Sequence, residues 1–179
     1  GTSANTSYGV GTGSSNTGNS YSFGEALSTD RALGSLLSGS VSTVFGVALR
    51  HEDTPALTAL NITYDGEQWR LGTAGRIDRL DVQYSLDATS LQTGTWTDVD
   101  ALDFSSVTTQ GTPGSRDGNL NRQTLSGSIT GLNLTRGQTV WLRWQDFNAS
   151  GADDGLAIDN FQVTAVTAVP EPQTLSLIH

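Results

Sequence analysis

The chain has 179 residues and carries 9 arginines, no lysine and 18 acidic residues, for a formal net charge of −9. It has neither cysteine nor methionine, which excludes disulfides, thiolate metal centres and cysteine nucleophiles. The acidic balance excludes the basic patches that nucleic acid and anionic membrane surfaces select, and no run of roughly 18 apolar residues offers a membrane span. A chain without methionine reads as a processed product, and its length suits one domain with a core of its own.

Residues 1–20 are almost all Gly, Ser, Thr and Asn, with only Ala4, Tyr8 and Val10 apolar. On composition this is an N-terminal arm, too polar to offset its ordering entropy alone. From residue 21 to 167 the texture is that of an antiparallel β domain, with alternating apolar and polar residues punctuated by turn residues. Strands are expected near Val41–Arg50, Leu57–Tyr64, Leu80–Ser85, Thr95–Val99, Gln123–Ile129, Thr139–Phe147 and Leu156–Val166. Turns are expected at Asp65-Gly66, Asp117-Gly118, Arg136-Gly137 and Asp154-Gly155. The stretch Glu25–Leu37 is given at most one helical turn, because Gly34 and its Ser/Thr content weaken a helix. The whole predicts an all-β, antiparallel two-sheet sandwich or jelly roll. In Thr139–Phe147 the alternation puts Val140, Leu142, Trp144 and Asp146 on one face and Trp141, Arg143 and Gln145 on the other.

Residues 168–179 contain Val169-Pro170-Glu171-Pro172 followed by Gln-Thr-Leu-Ser-Leu-Ile-His. This resembles the opening of a PEP-CTERM sorting signal, in which Pro-Glu-Pro precedes a hydrophobic helix and an arginine cluster. Pro170, Glu171 and Pro172 match; the helix and the basic cluster do not follow. The body is similar to β-sandwich modules of secreted PEP-CTERM proteins, in Asp30-Arg31-Ala32-Leu33-Gly34-Ser35, Trp141-Leu142-Arg143-Trp144 and Asp154-Gly155-Leu156-Ala157-Ile158-Asp159-Asn160-Phe161. The resemblance implies export by an exosortase-type system and an extracellular or cell-surface location, with no assigned activity.

Two constellations are candidates for binding. Asp146, Asp153, Asp154, Asp159 and Asn160 bring hard oxygens together near the C-terminal strand, as a structural calcium ion requires. Their spacing is not that of an EF-hand loop, and they also read as a solvated acidic turn. Tyr64, Asp65, Glu67, Gln68, Trp69 and Arg70 join aromatic rings with acids, an amide and a guanidinium, the set that carbohydrate sites use. The same residues also read as a cap on the end of the core.

Catalytic constellations are thinner. The pairs Asp65/Glu67 and Asp98/Asp100 are what chance produces in an Asp-rich chain. His51 and His179 are the only histidines, with no Gly-x-Ser-x-Gly elbow. No enzyme activity is expected. The reading favoured by the sequence is a structural or adhesive protein of the bacterial surface or biofilm matrix, self-associating into an oligomer or filament through its terminal arm. A polysaccharide-binding module, or the accessory domain of a secreted hydrolase, is the alternative.

Overall fold

A computed structural model of the chain describes residues 7–169; the sorting-signal residues Pro170, Glu171 and Pro172 lie outside them. Its strands are β1 (Gly9–Gly11), β2 (Asn19–Phe23), β3 (Ala32–Leu36), β4 (Val44–Arg50), β5 (Leu57–Leu71), β6 (Arg79–Ser85), β7 (Thr97–Asp98), β8 (Phe104–Ser105), β9 (Gly114–Ser115), β10 (Arg122–Ile129), β11 (Thr139–Asp146) and β12 (Gly155–Thr167). They form two sheets. A seven-stranded sheet runs β1-β2-β3-β12-β5-β10 with β9 beside β5, and a five-stranded sheet runs β4-β11-β6-β7 with β8 beside β6. Every pairing is antiparallel except β1 with β2. The two-sheet antiparallel sandwich is therefore as the sequence implies.

The core follows from period-two alternation. In β11, Val140, Leu142 and Trp144 point inward and are buried, meeting Leu60, Ile62 and Tyr64 of β5 in one cluster. Trp144 stacks on Phe45 at 5.9 Å and takes Tyr64 and Phe161 edge-on at 5.6 and 5.5 Å. Each such ring contributes about 1.5–3 kcal/mol by burial, with the edge contacts adding to it.

The N-terminal segment departs from the expected arm. Residues 9–11 and 19–23 are strands of the same sheet, so what was expected to reach a neighbouring copy is paired within its own chain. Tyr21 and Phe23 form a second cluster with Trp69, Ala32, Leu36 and Ala157 on the outer face of the seven-stranded sheet. The glycines make this possible. A Cβ on Gly9 would strike the Tyr21 ring, and one on Gly13 would strike the Trp69 carbonyl, where φ is also +79°. Arg70 ties the segment down by donating to the carbonyls of Gly13 and Ser14 at 3.1 and 3.2 Å. Linker-like composition here is the composition of backbone lying flat on aromatic rings.

One further expectation is corrected. Asp65-Gly66 is no turn: β5 runs straight through it for 15 residues, and Gly66 lies in the strand because a Cβ would collide with the Phe104 ring. Glu25–Leu37 keeps to the expected limit of one turn, closed by Ser28 N donating to the Glu25 carbonyl at 3.1 Å; its second half is β3, sandwiched between β2 and β12.

Candidate functional site

The strand Leu57–Leu71 turns the expected ligand set Tyr64–Arg70 into two buried layers. Tyr64 and Gln68 face the core and Glu67 and Trp69 face the outer aromatic cluster; all four are buried, Trp69 to 1 % exposure. The Trp69 indole donates to Glu67 Oε2 at 2.8 Å and its ring stacks on Phe23 at 6.2 Å. Gln68 donates to Asp154 Oδ2 at 2.8 Å and accepts from Thr108 N at 2.7 Å. Burial raises the Tyr64 hydroxyl and the Glu67 carboxyl above their ordinary values. Only Asp65 and Arg70 keep partial exposure, and hydrogen bonds from Thr124 and Asn160 hold Asp65 below its usual range. The set is scaffold, because continuing the strand carries these side chains under other elements. Its carboxylates share no open cleft, since Glu67 is buried against Trp69 while Asp65 binds Thr124 and Asn160. His51 is likewise buried, 2.8 Å from the Pro55 carbonyl.

The acidic constellation divides. Asp159 and Asn160 sit beside Asp65 at a bulge of β12, where Asn160 has φ +52°, and line a groove of about 270 Å³ with Arg31, Phe45, Trp144 and Phe161. Asp146, Asp153 and Asp154 instead gather with Asp78, which the sequence did not single out, at one end of the sandwich; all four are buried. Asp154 is fully engaged: Gly72 N, Gln68 and Ser106 donate to it at 2.7–2.8 Å. Asp78 accepts from the backbone of Arg79 and Asp154 and pairs with Arg76 at 3.1 Å. Asp146 holds only Ser35 and the Leu37 backbone, and Asp153 the Ala149 backbone. Burial pushes the Asp146 carboxyl up to about 8 and Asp153 to about 6, with Asp78 adding to both. Burial also raises Asp154. Among the described residues, no three His, Cys, Asp or Glu side chains form a group able to hold a metal ion. The five-residue calcium set therefore does not assemble as expected.

The exposed chemistry lies elsewhere, on the outer face of the five-stranded sheet. β11 is its central strand, and the alternation that buries Trp144 turns Trp141, Arg143 and Gln145 outward. Trp141 is half-buried, opposite Ala48 on β4 and Ser85 on β6, so small side chains flank its ring on both sides. Arg143 lies opposite Gly46 and Gln83. It donates twice to Gln83 Oε1 at 2.8 and 2.6 Å and once to the Leu91 carbonyl at 2.7 Å. Its guanidinium stacks 3.9 Å from the Trp96 ring centroid, and partial burial lowers its pKa. Gln83 in turn donates to Asp98 at 2.6 Å, and the Trp96 indole to the Thr93 carbonyl at 2.9 Å. At the other end of the face, Arg79 pairs with Asp81 and covers the exposed Phe147 ring at 5.0 Å.

This face combines two partly exposed indoles, a locked guanidinium, amides and carboxylates over the four-residue step from Trp141 to Gln145, about 13 Å of strand. The division of β11 into two faces is readable from the sequence; which indole is exposed is not. Trp96 and Gln83 were not joined to β11, because the pairing that brings them together spans 47 and 60 positions of chain.

No family model matches the chain, and no curated protein matches it significantly. Solved structures similar to it include the CBM22-1 xylan-binding domain from Paenibacillus barcinonensis Xyn10C, at 12 % identity and TM-score 0.43, covering 86 % of this chain and 83 % of that one. A family 16 carbohydrate-binding module is similar at 13 % identity and TM-score 0.37, covering 82 % and 84 %.

Proposed function

We propose that the chain is a non-catalytic, extracellular polysaccharide-binding module whose binding surface is the outer face of the five-stranded sheet. Trp141 carries the reading: it is a partly exposed indole on the central strand, flanked by small residues, beside an Arg143 already fixed by Gln83, Leu91 and Trp96. A sugar presents an apolar C–H face and a rim of hydroxyls. The indole takes the first by stacking, and Gln83, Gln145, Asp98 and Arg143 offer donors and acceptors for the second. Because Arg143 is held before ligand arrives, little side-chain entropy remains to be lost on binding. The net charge of −9 points to neutral rather than acidic polymers. Export, as the Pro170-Glu171-Pro172 resemblance implies, would put this face where such polymers are.

The test is affinity electrophoresis of the full chain through gels containing neutral or acidic polysaccharides. The expected result is retardation by at least one neutral polymer, lost in Trp141→Ala at unchanged melting temperature. Retardation by none of the polymers, or retardation that Trp141→Ala leaves intact, overturns the reading.

A further inference from the structure

The geometry points to a calcium site at the junction of β11 with the loop 147–154, built on Asp146 and Asp153 with neutral oxygens rather than on a carboxylate cluster. Three buried oxygen atoms there have no partner: Asp146 Oδ1, Asp153 Oδ1 and Thr43 Oγ1, on residues only 3 %, 6 % and 5 % exposed. The register places two of them together. Gln145 pairs with Val44 and Asp146 N donates to the Thr43 carbonyl at 3.4 Å, so Thr43 and Asp146 lie opposite each other and both are buried.

Charge points to a cation. Arg76 is the guanidinium of this end of the sandwich; it pairs with Asp78 at 3.1 Å, lies 3.9 Å from Asp154 and donates to the Ala152 carbonyl, while its Nε makes no hydrogen bond. Asp78 and Asp154 are in addition saturated by hydrogen-bond donors. Asp146 is thus buried with no cation facing it, and Asp153 has only Arg76, which it shares with Asp78 and Asp154; a buried carboxylate without a counter-charge of its own is strongly disfavoured. A cation supplies it.

The loop's sequence supports a hard cation independently. From Asp146 the chain reads Asp-Phe-Asn-Ala-Ser-Gly, with side-chain oxygens at the first, third and fifth positions and a glycine at the sixth. Calcium loops use this spacing, with the glycine making the turn that brings alternate oxygens to one point. Gly151 does have φ +91°. The loop is no EF-hand, since its twelfth position is Ala157, buried in β12, instead of a bidentate glutamate. Asp153 is the acid that takes that place. Asn148 and Ser150 are exposed on the loop that joins the two carboxylates, and would reach the ion directly or through water. Asp159, Asn160 and Asp154 take no part. Calcium fits better than magnesium because irregular, mixed neutral and anionic oxygens suit its larger and more flexible shell.

The experiment is thermal unfolding and titration calorimetry of the full chain at neutral pH, in millimolar Ca²⁺, in millimolar Mg²⁺ and in chelator. The expected result is a melting temperature roughly 5–10 °C higher in Ca²⁺ than in chelator, with a smaller shift in Mg²⁺. Asp153→Asn is expected to abolish the difference. Should that variant not fold, Asn148→Ala serves instead: its side chain is outside the core, and it is expected to weaken Ca²⁺ about tenfold in calorimetry while the metal-free protein melts unchanged. Equal melting in Ca²⁺ and chelator overturns the site. So does Ca²⁺ binding that neither variant weakens, which would put the ion elsewhere.

Discussion

Trp69 and Trp141 are each set among an arginine, a glutamine and an acid, and they end in opposite roles. Around Trp69 the polar partners serve the scaffold: Glu67 accepts the indole proton, Gln68 holds Asp154, and Arg70 clamps the N-terminal segment. Around Trp141 the partners face outward. Arg143 and Gln83 are fixed to each other, yet stay at the surface with the indole beside them. The lesson is that residue chemistry alone does not make a carbohydrate site. What separates the two regions is whether another layer of chain covers the face. The link at Gly13 between β1 and β2 and the loop at Gly118 lie against Trp69, whereas the outer face of β11 at Trp141 stays partly open.

Truncating the two indoles separates the roles most sharply. Trp69→Ala removes a ring that stacks on Phe23 and packs on Gly118, so it is expected to cost about 3–5 kcal/mol of stability in urea unfolding. The fraction that stays folded should bind polysaccharide as the wild type does. Trp141→Ala should do the reverse, weakening polysaccharide binding by about 2 kcal/mol, roughly thirtyfold, with stability within about 0.5 kcal/mol of wild type. If Trp69→Ala were the variant that lost binding at full stability, the assignment of scaffold and surface would be inverted.

Much of this contrast was legible beforehand, and the failures have physical causes. The alternation in Thr139–Phe147 gave both faces of β11 correctly, because period-two burial is local. On sequence the Tyr64–Arg70 set reads as a strand end because Asp65-Gly66 looks like a turn. In the sheet, Gly66 is there to clear the Phe104 ring, a contact 38 residues away in sequence. The N-terminal glycines misled in the same way, since Gly9 and Gly13 read as flexibility while each accommodates an aromatic residue's close approach. Among the acids, Asp146 shares a face with Val140, Leu142 and Trp144 by alternation alone. Asp78 lies 68 positions upstream, and only folding brings it to Asp146.

A smaller effect tests whether the Trp69 layer is as dry as it looks. Burial raises the Glu67 carboxyl above its unfolded value near 4.5, so the folded chain holds that proton more tightly than the unfolded chain. Between the two values the folded state binds more protons, and this group's contribution to stability is lost as pH rises through the window. Glu67→Gln removes the charge and leaves an oxygen for the Trp69 indole. It should flatten that part of the stability–pH curve and stabilise the chain by about 1 kcal/mol at mildly alkaline pH. An unchanged slope would mean that water reaches Glu67 and that the aromatic cover is incomplete.

The finest distinction concerns Arg143. If the outer face works by a guanidinium fixed flat over Trp96, then charge alone will not replace it. Lysine keeps the positive charge but has no planar group to stack, and it cannot donate to Gln83 twice and to Leu91 at once. Arg143→Lys should therefore lose about 0.5–1 kcal/mol of polysaccharide affinity, a few-fold in Kd, seen mainly as faster dissociation. The loss should persist at high salt, because a positioning defect is not screened as an exposed charge pair is. Affinity restored to wild type by lysine would mean that the face uses Arg143 only as a charge, and that Trp141 works without the fixed partner beside it.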